Sequence, residues 1–282
     1  MAETTSKTPL LEVRNLSVSF PQRDGTLVRA VRDISYTIDE GEFLGIVGES
    51  GSGKSVSSLA VMGLLPNTAR ISGEIRFQGR QLLTLDDREL SSIRGSEIAM
   101  VFQDPLSALT PVYTVGDQIA EALLLHDKAL SKQAAASRAV ELLKVVGIPD
   151  PGRRAKAFPH EFSGGMRQRA MIAMAIANNP RLIIADEPTT ALDVTIQAQI
   201  LDVLQEAKRL TGAAVSLITH DLGVVAGHAD RVAVMYAGKL VETGTVDQVF
   251  NQPTMPYTLG LLRSVPNIRT AGTHRLVPLE GR

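Results

Sequence analysis

Gly48-Glu49-Ser50-Gly51-Ser52-Gly53-Lys54-Ser55 fits the phosphate-loop pattern G-x-x-x-x-G-K-[ST] at every fixed position. Four apolar residues just before it, Phe43, Leu44, Ile46 and Val47, predict a short buried strand, and Ser55 to Leu65 predicts a helix that stops before Pro66. Strand, glycine-rich loop and helix in succession separate this motif from a merely flexible glycine-serine turn. The glycines let backbone N–H groups turn inward around an anion, and the helix N-terminus adds partial positive charge. In such a loop Lys54 reaches the β- and γ-phosphates of a nucleotide and Ser55 ligates Mg²⁺.

The surroundings are those of a folded chain. It has 282 residues, 44% of them hydrophobic, and a net charge of −1. That is enough apolar material for a core, and the charge balance points to no nucleic acid or anionic membrane. There is no Cys, which excludes disulfides and thiol chemistry. No apolar run approaches the ~20 residues needed to span a bilayer. The opening residues, Met1 to Lys7, lack the apolar stretch of a signal peptide. A soluble, intracellular protein is expected, with any membrane role supplied by a partner.

Upstream of the loop, Leu11, Val13, Leu16, Val18 and Phe20 alternate with polar residues. Ala30 to Ile38 behaves similarly, which predicts an antiparallel sheet. Phe20 has two readings, a core aromatic or a ring that stacks on a nucleotide base. Downstream, Ile71 to Phe77 and Ile98 to Phe102 return to strand, the second stopped by Gln103-Asp104-Pro105. Gln103 suits either a reach towards Mg²⁺ and water or a loop cap. From Val115 to about Val146 the texture is helical, with Ser131 a plausible N-cap. Ser163 then caps a helix whose first residues, Gly164 and Gly165, leave its amides uncovered. That is a second anion site or simply a tight loop.

Leu182 to Ala185 form an unbroken apolar run ending in Asp186-Glu187, as expected of a strand buried on both faces. In phosphate-loop enzymes an Asp in this place holds Mg²⁺, and the adjacent Glu can polarise a water as general base. Asp193 follows, before a helix reaching about Leu210. Ala214 to Thr219 is another buried strand, with His220 at the carboxyl edge where open parallel sheets bind ligands. His220 is either a γ-phosphate sensor or a structural histidine.

Taken together, from about Leu10 to about Pro266, the chain resembles the nucleotide-binding subunit of an ATP-binding cassette (ABC) transporter. Residues 48–55 match its phosphate loop, Gln103 its glutamine loop, and Ser163-Gly164-Gly165-Met166-Arg167 its signature, whose fourth position is usually Gln. Asp186 matches the magnesium-site aspartate, Glu187 the catalytic glutamate, Ala191-Leu192-Asp193 the D-loop, His220 the switch histidine and Phe20 the base-stacking aromatic. Phe102 to Pro111 and Pro256-Tyr257-Thr258-Leu259-Gly260-Leu261-Leu262 resemble the dipeptide and oligopeptide importers, whose nickel-importing relatives share these cassettes. The subfamily often carries an iron–sulfur tail with cysteines, and this chain has none. Leu276 to Gly281 nevertheless looks like the start of a longer tail, so the expected natural product continues past Arg282 or is half of a tandem cassette.

The resemblance implies an α/β fold, with a phosphate-loop, RecA-like, mostly parallel core, an N-terminal antiparallel β subdomain and an α-helical insertion. One nucleotide-binding domain would span 1–282, with its core at 10–102 and 169–245, the helical subdomain at 103–168 and a C-terminal extension at 246–282. It implies ATP and Mg²⁺ as ligands. Glu187, His220, Lys54 and Gln103 would be catalytic. Phe20, Gly48, Glu49, Ser50, Gly51, Ser52, Gly53, Lys54, Ser55, Val56, Ser163, Gly164, Gly165 and Asp193 would bind nucleotide. Ser55, Gln103 and Asp186 would serve the metal. Two cassettes would close head to tail, each ATP lying between one phosphate loop and the other signature. The partners implied are a second cassette, two transmembrane permease subunits and, indirectly, an extracytoplasmic solute-binding protein, with no nucleic acid. The place implied is the cytoplasmic face of the inner membrane, held peripherally. A non-transport ABC ATPase acting on DNA or the ribosome, and an importer of another small solute such as nickel, remain as alternatives.

Overall fold

The computed structural model describes residues 8–190 and 192–264. Ala191 of the expected D-loop and residues 265–282, with Leu276 to Gly281 among them, lie outside the described residues.

The strands are β1 (Leu11–Pro21), β2 (Leu27–Ile38), β3 (Phe43–Val47), β4 (Arg70–Phe77), β5 (Arg80–Gln81), β6 (Ile98–Val101), β7 (Leu182–Asp186), β8 (Ala214–Thr219), β9 (Arg231–Tyr236) and β10 (Lys239–Thr245). The helices are α1 (Lys54–Val61), α2 (Asp87–Ile93), α3 (Pro105–Ala108), α4 (Val115–His126), α5 (Lys132–Val145), α6 (Pro151–Arg154), α7 (Gly164–Ala175), α8 (Val194–Thr211), α9 (Leu222–Ala226), α10 (Val246–Asn251) and α11 (Pro256–Ser264). Two compact units divide them. The first takes in the described parts of Met1–Leu85 and Ser216–Arg282, the second Asp86–Val215, so the boundary falls inside β8.

In the first unit an antiparallel sheet runs in the order β2-β1-β4-β5. Its apolar alternation is the expected one: Leu11, Val13, Leu16, Val18, Val31, Ile34, Ile75 and Phe77 are all buried. β2 begins three residues earlier than the sequence suggests, because Leu27 and Val28 are exposed and so carry no burial pattern to read. A second sheet in this unit pairs β3 with β9 in parallel and β9 with β10 antiparallel. Every residue of β3 is buried, as a strand covered on both faces requires. Its start is fixed by Asp230, whose carboxylate accepts from the Phe43 amide at 2.7 Å, and by the Arg231–Glu42 ion pair at 2.9 Å. The β9–β10 end of the unit packs Val47, Val225, Val232, Val234, Val249 and Leu261 into one apolar cluster.

In the second unit β6 and β7 pair in parallel, with every residue of both buried. The helical segment is not continuous: α4 ends at His126 and α5 begins at Lys132, with Ser131 capping it by accepting from the Ala134 amide. The residues expected as a helical insertion, 103–168, lie wholly in this unit. Among the described residues no helix is long and apolar enough to cross a membrane.

Candidate functional site

In the first unit β3 delivers the chain into the loop and α1 leaves it. The loop curls back on itself, and Lys54, only 3% exposed, donates from Nζ to the carbonyls of Gly48 (2.7 Å) and Glu49 (2.9 Å). These bonds lay the ammonium along the inside of the loop, where phosphate oxygens could take the place of the two carbonyls. The Ser52 hydroxyl is buried with no hydrogen-bond partner, an orphan whose cost a ligand oxygen would remove. Both observations fit a polyphosphate. Ser55 and Val56 are half-buried on the first turn of α1, while Glu49, Ser50 and Gly51 are exposed.

The loop is also held from outside, by groups that sequence reasoning missed. Gly238, at the turn between β9 and β10, donates to the Ser52 carbonyl at 2.9 Å. The Tyr257 hydroxyl accepts from the Glu49 amide at 3.1 Å, across 208 residues of sequence. Gly53 has φ +104°, and a Cβ there would collide with the Ala30 carbonyl and meet Met235. Gly51 has φ +79° with nothing nearby. Gly53→Ala therefore combines backbone strain with a clash against backbone, and is expected to cost about 2–4 kcal/mol. Gly51→Ala carries only the strain, about 1 kcal/mol. Thermal melting of the two variants checks this: the Gly53 change should lower Tm by at least twice as much as the Gly51 change.

His220 follows β8 directly and is exposed, and the neighbouring Asp221 caps α9 by accepting from the Gly223 amide at 2.7 Å. Phe20 sits near the end of β1, paired with Val28 and half-buried.

In the second unit Asp186 ends β7 and is 7% exposed. Glu187 comes next with φ +46°, a conformation that costs a non-glycine residue of order 1 kcal/mol and persists only where its surroundings enforce it. Two donors converge on its Oε2, the Gln103 amide at 3.2 Å and the Thr190 hydroxyl at 2.9 Å. The sequence singled out Gln103 and Glu187 separately, and the fold brings them into direct contact across 84 residues. Thr190 was missed, although a hydroxyl three residues past a strained carboxylate is a local signal.

Ser163 caps α7, accepting from the Met166 amide at 3.3 Å, the cap that the sequence predicts. Gly164 and Gly165 pack against α8 and the residues before it. A Cβ on Gly165 would come within 2.7 Å of Ile196, and one on Gly164 within 3.4 Å of Leu192. Asp193 caps α8, accepting from the Ile196 amide at 3.0 Å. Both glycines thus have a packing reason. Ser163 and Gly164 remain exposed. Among the described residues no group of three or more His, Asp or Glu side chains is gathered as a metal cage.

The model of the ABC transporter family matches residues 31–190, and that of the oligopeptide/dipeptide transporter C-terminal region matches 241–282. The oligopeptide transport ATP-binding protein OppD of Mycobacterium tuberculosis is 60% identical over 273 residues, 97% of this chain but 44% of that protein. OppD of Bacillus subtilis is 55% identical over 276 residues, covering 97% of this chain and 76% of that protein. Among solved structures, the dimeric post-hydrolysis state of an ATP-binding cassette bound to ADP and Pi aligns with a TM-score of 0.75 at 31% identity. It covers 84% of this chain and 98% of that one. The chain thus spans 44% of the length of the mycobacterial relative that it matches.

Proposed function

The chain belongs to the ABC transporter family, and we propose that it is the ATP-binding and hydrolysing subunit of a system that imports dipeptides or oligopeptides. The observation that carries this is the phosphate loop, with buried Lys54 laid over two of its own carbonyls and Ser52 left without a partner. The OppD relatives and the match of residues 241–282 support peptides as the cargo.

Each residue has a task that its chemistry suits. Lys54 exchanges the Gly48 and Glu49 carbonyls for β- and γ-phosphate oxygens, charged acceptors that make stronger hydrogen bonds to an ammonium. The loop amides and the α1 N-terminus hold the same phosphates, and the Phe20 ring stacks on the base. Ser55, Asp186 and Gln103 are the residues for Mg²⁺, which when bound neutralises charge on the phosphates. Glu187 orients and deprotonates the attacking water, with Gln103 and Thr190 fixing its carboxylate. His220 contacts the γ-phosphate. Ser163, Gly164 and Gly165 meet the ATP held by a second cassette, and Asp193 lies in the loop that follows Glu187. The subdomain division at 103–168 gives the signature and Gln103 a common carrier. The remaining partners are two permease subunits and, through them, a solute-binding protein, with this chain peripheral at the cytoplasmic face of the membrane.

One experiment tests the reading. The chain is co-expressed with candidate permeases, isolated as an assembly, and assayed for phosphate release and peptide uptake in vesicles. Mg²⁺-dependent ATPase activity that rises on adding peptide is expected. An assembly that hydrolyses ATP but ignores every peptide would leave the ATPase and remove the cargo. A chain that binds no ATP would remove both.

A further inference from the structure

The Glu49 amide and the Gly48 carbonyl belong to one peptide group. Its oxygen accepts from Lys54 Nζ at 2.7 Å and its nitrogen donates to the Tyr257 hydroxyl at 3.1 Å. A peptide bonded at both ends is polarised along its length, each bond strengthening the other, and it cannot rotate about its plane without losing both.

Tyr257 is itself fixed. It lies in the first turn of α11, with its ring against that of Tyr236 at 4.4 Å between centroids. Its helix is tethered one turn earlier, where Glu242 on β10 accepts from the Thr254 amide (2.6 Å), the Thr254 hydroxyl (2.8 Å) and the Met255 amide (3.4 Å). Burial pushes the Glu242 carboxyl up, but the hydrogen bonds it accepts, with the Thr254 amide foremost, outweigh it and hold it below the ordinary carboxylate range. A lowered pKa means that the tether is complete at neutral pH and is lost only as acid titrates the carboxylate. Burial pushes the Tyr257 hydroxyl up, so it stays protonated at neutral pH and accepts through its oxygen lone pairs. Leu261, one helical turn beyond, seats the helix in the cluster of Val47 and Val232. Tether, ring pair and apolar seat together place one hydroxyl on one loop amide.

We propose that Tyr257 is a positioning residue of the phosphate loop: its hydroxyl fixes the Gly48–Glu49 peptide, whose carbonyl holds Lys54, and so ties nucleotide affinity to the segment that follows β10. The inference rests on the nucleotide-binding reading of the loop. Tyr257 touches no phosphate in this scheme, because the amide it engages faces away from Lys54 and is withdrawn from anion binding. Its contribution is to keep the loop in the shape that the other amides need.

The test uses the full 282-residue chain as wild type, Tyr257→Phe and Tyr236→Phe, titrated with a fluorescent ATP analogue. Hydrogen exchange at the loop and the melting temperature are followed in parallel. Tyr257→Phe keeps the ring and removes only the acceptor. ATP affinity should fall ~3- to 10-fold, the range of one neutral hydrogen bond, with KM rising and kcat unchanged. The Glu49 amide should exchange faster, and Tm should move by less than about 2 °C, since an exposed amide regains a water partner. Tyr236→Phe should match wild type in affinity and exchange. Wild-type affinity or unchanged exchange in Tyr257→Phe would overturn the inference and leave the loop reading intact. A large drop in Tm would make the hydroxyl a general structural strut and overturn it too. A wild-type chain that binds no nucleotide would remove the loop reading and the inference together.

Discussion

Glu187→Gln is expected to reduce ATP hydrolysis by ~10²–10⁴-fold, the share of a rate that general-base help supplies, while ATP affinity stays within a few-fold of wild type. Gln has nearly the shape of Glu and keeps one carbonyl acceptor, so the Thr190 hydroxyl still finds a partner at that position. What it lacks is a lone pair basic enough to take a proton from water. That task arises only in the transition state, so its loss appears in kcat and not in binding. Removing a negative charge close to a polyphosphate should strengthen ATP binding slightly. The backbone at this position, φ +46°, is as accessible to Gln as to Glu, which keeps the variant folded. Asp186→Asn makes the contrast. In the proposed reading the carboxylate at the end of β7, which is 7% exposed, serves binding of the metal itself, so its loss should weaken Mg²⁺-dependent ATP affinity. Single-turnover hydrolysis and ATP titration on the two variants decide the matter. Near-normal hydrolysis by Glu187→Gln, with both copies of a cassette pair changed, would take Glu187 out of the mechanism.

What the sequence made legible was contiguous. The phosphate loop, its strand and its helix sit within 43–65, and the structure differs only at the helix ends: α1 begins one residue earlier, at Lys54, and stops at Val61, because Gly63 turns into the left-handed region and Leu64 is 41% exposed. The fully buried strands β3, β6, β7 and β8 were readable because residues with water on neither face leave unbroken apolar runs. The caps at Ser131 and Ser163 were readable because capping chemistry acts over three residues. What was not legible acts across the chain. Nothing local to Gln103 says that it meets Glu187, and nothing local to Glu49 says that its amide meets Tyr257. Such pairs come from strand order, which hydrophobic periodicity does not encode. The signature glycines were read only for what they leave open. Their contacts with Leu192 and Ile196 need the packing of one helix on another.

Those same contacts shape what should follow from Ser163→Arg. Ser163 is exposed, and its hydroxyl caps the Met166 amide. Gly164 and Gly165 are backed by Leu192 and Ile196, so the α7 N-terminus has little freedom to retreat from whatever approaches it. An arginine here removes the cap, at about 1 kcal/mol, and adds a long side chain where, in the proposed reading, a ligand meets backbone amides. Its charge suits a phosphate, but its bulk holds the γ-phosphate too far away for those amides to donate. Ser163→Ala removes the cap without the bulk and so isolates the folding cost. In the proposed arrangement this surface serves the ATP held by another cassette. Ser163→Arg should therefore bind a nucleotide analogue as the unaltered monomer does, yet fail to form ATP-driven pairs and lose at least ~10²-fold in turnover, as when a preorganised transition-state contact is removed. Ser163→Ala should keep most of both. Lys54→Ala should instead lose nucleotide affinity in the monomer, because the ammonium now held by Gly48 and Glu49 is the one that would meet the phosphates. Size-exclusion chromatography with ATP, equilibrium titration of the monomer and steady-state turnover separate the three variants. If Ser163→Arg weakens monomer binding as much as Lys54→Ala does, the signature acts on its own chain's nucleotide and the head-to-tail arrangement is wrong.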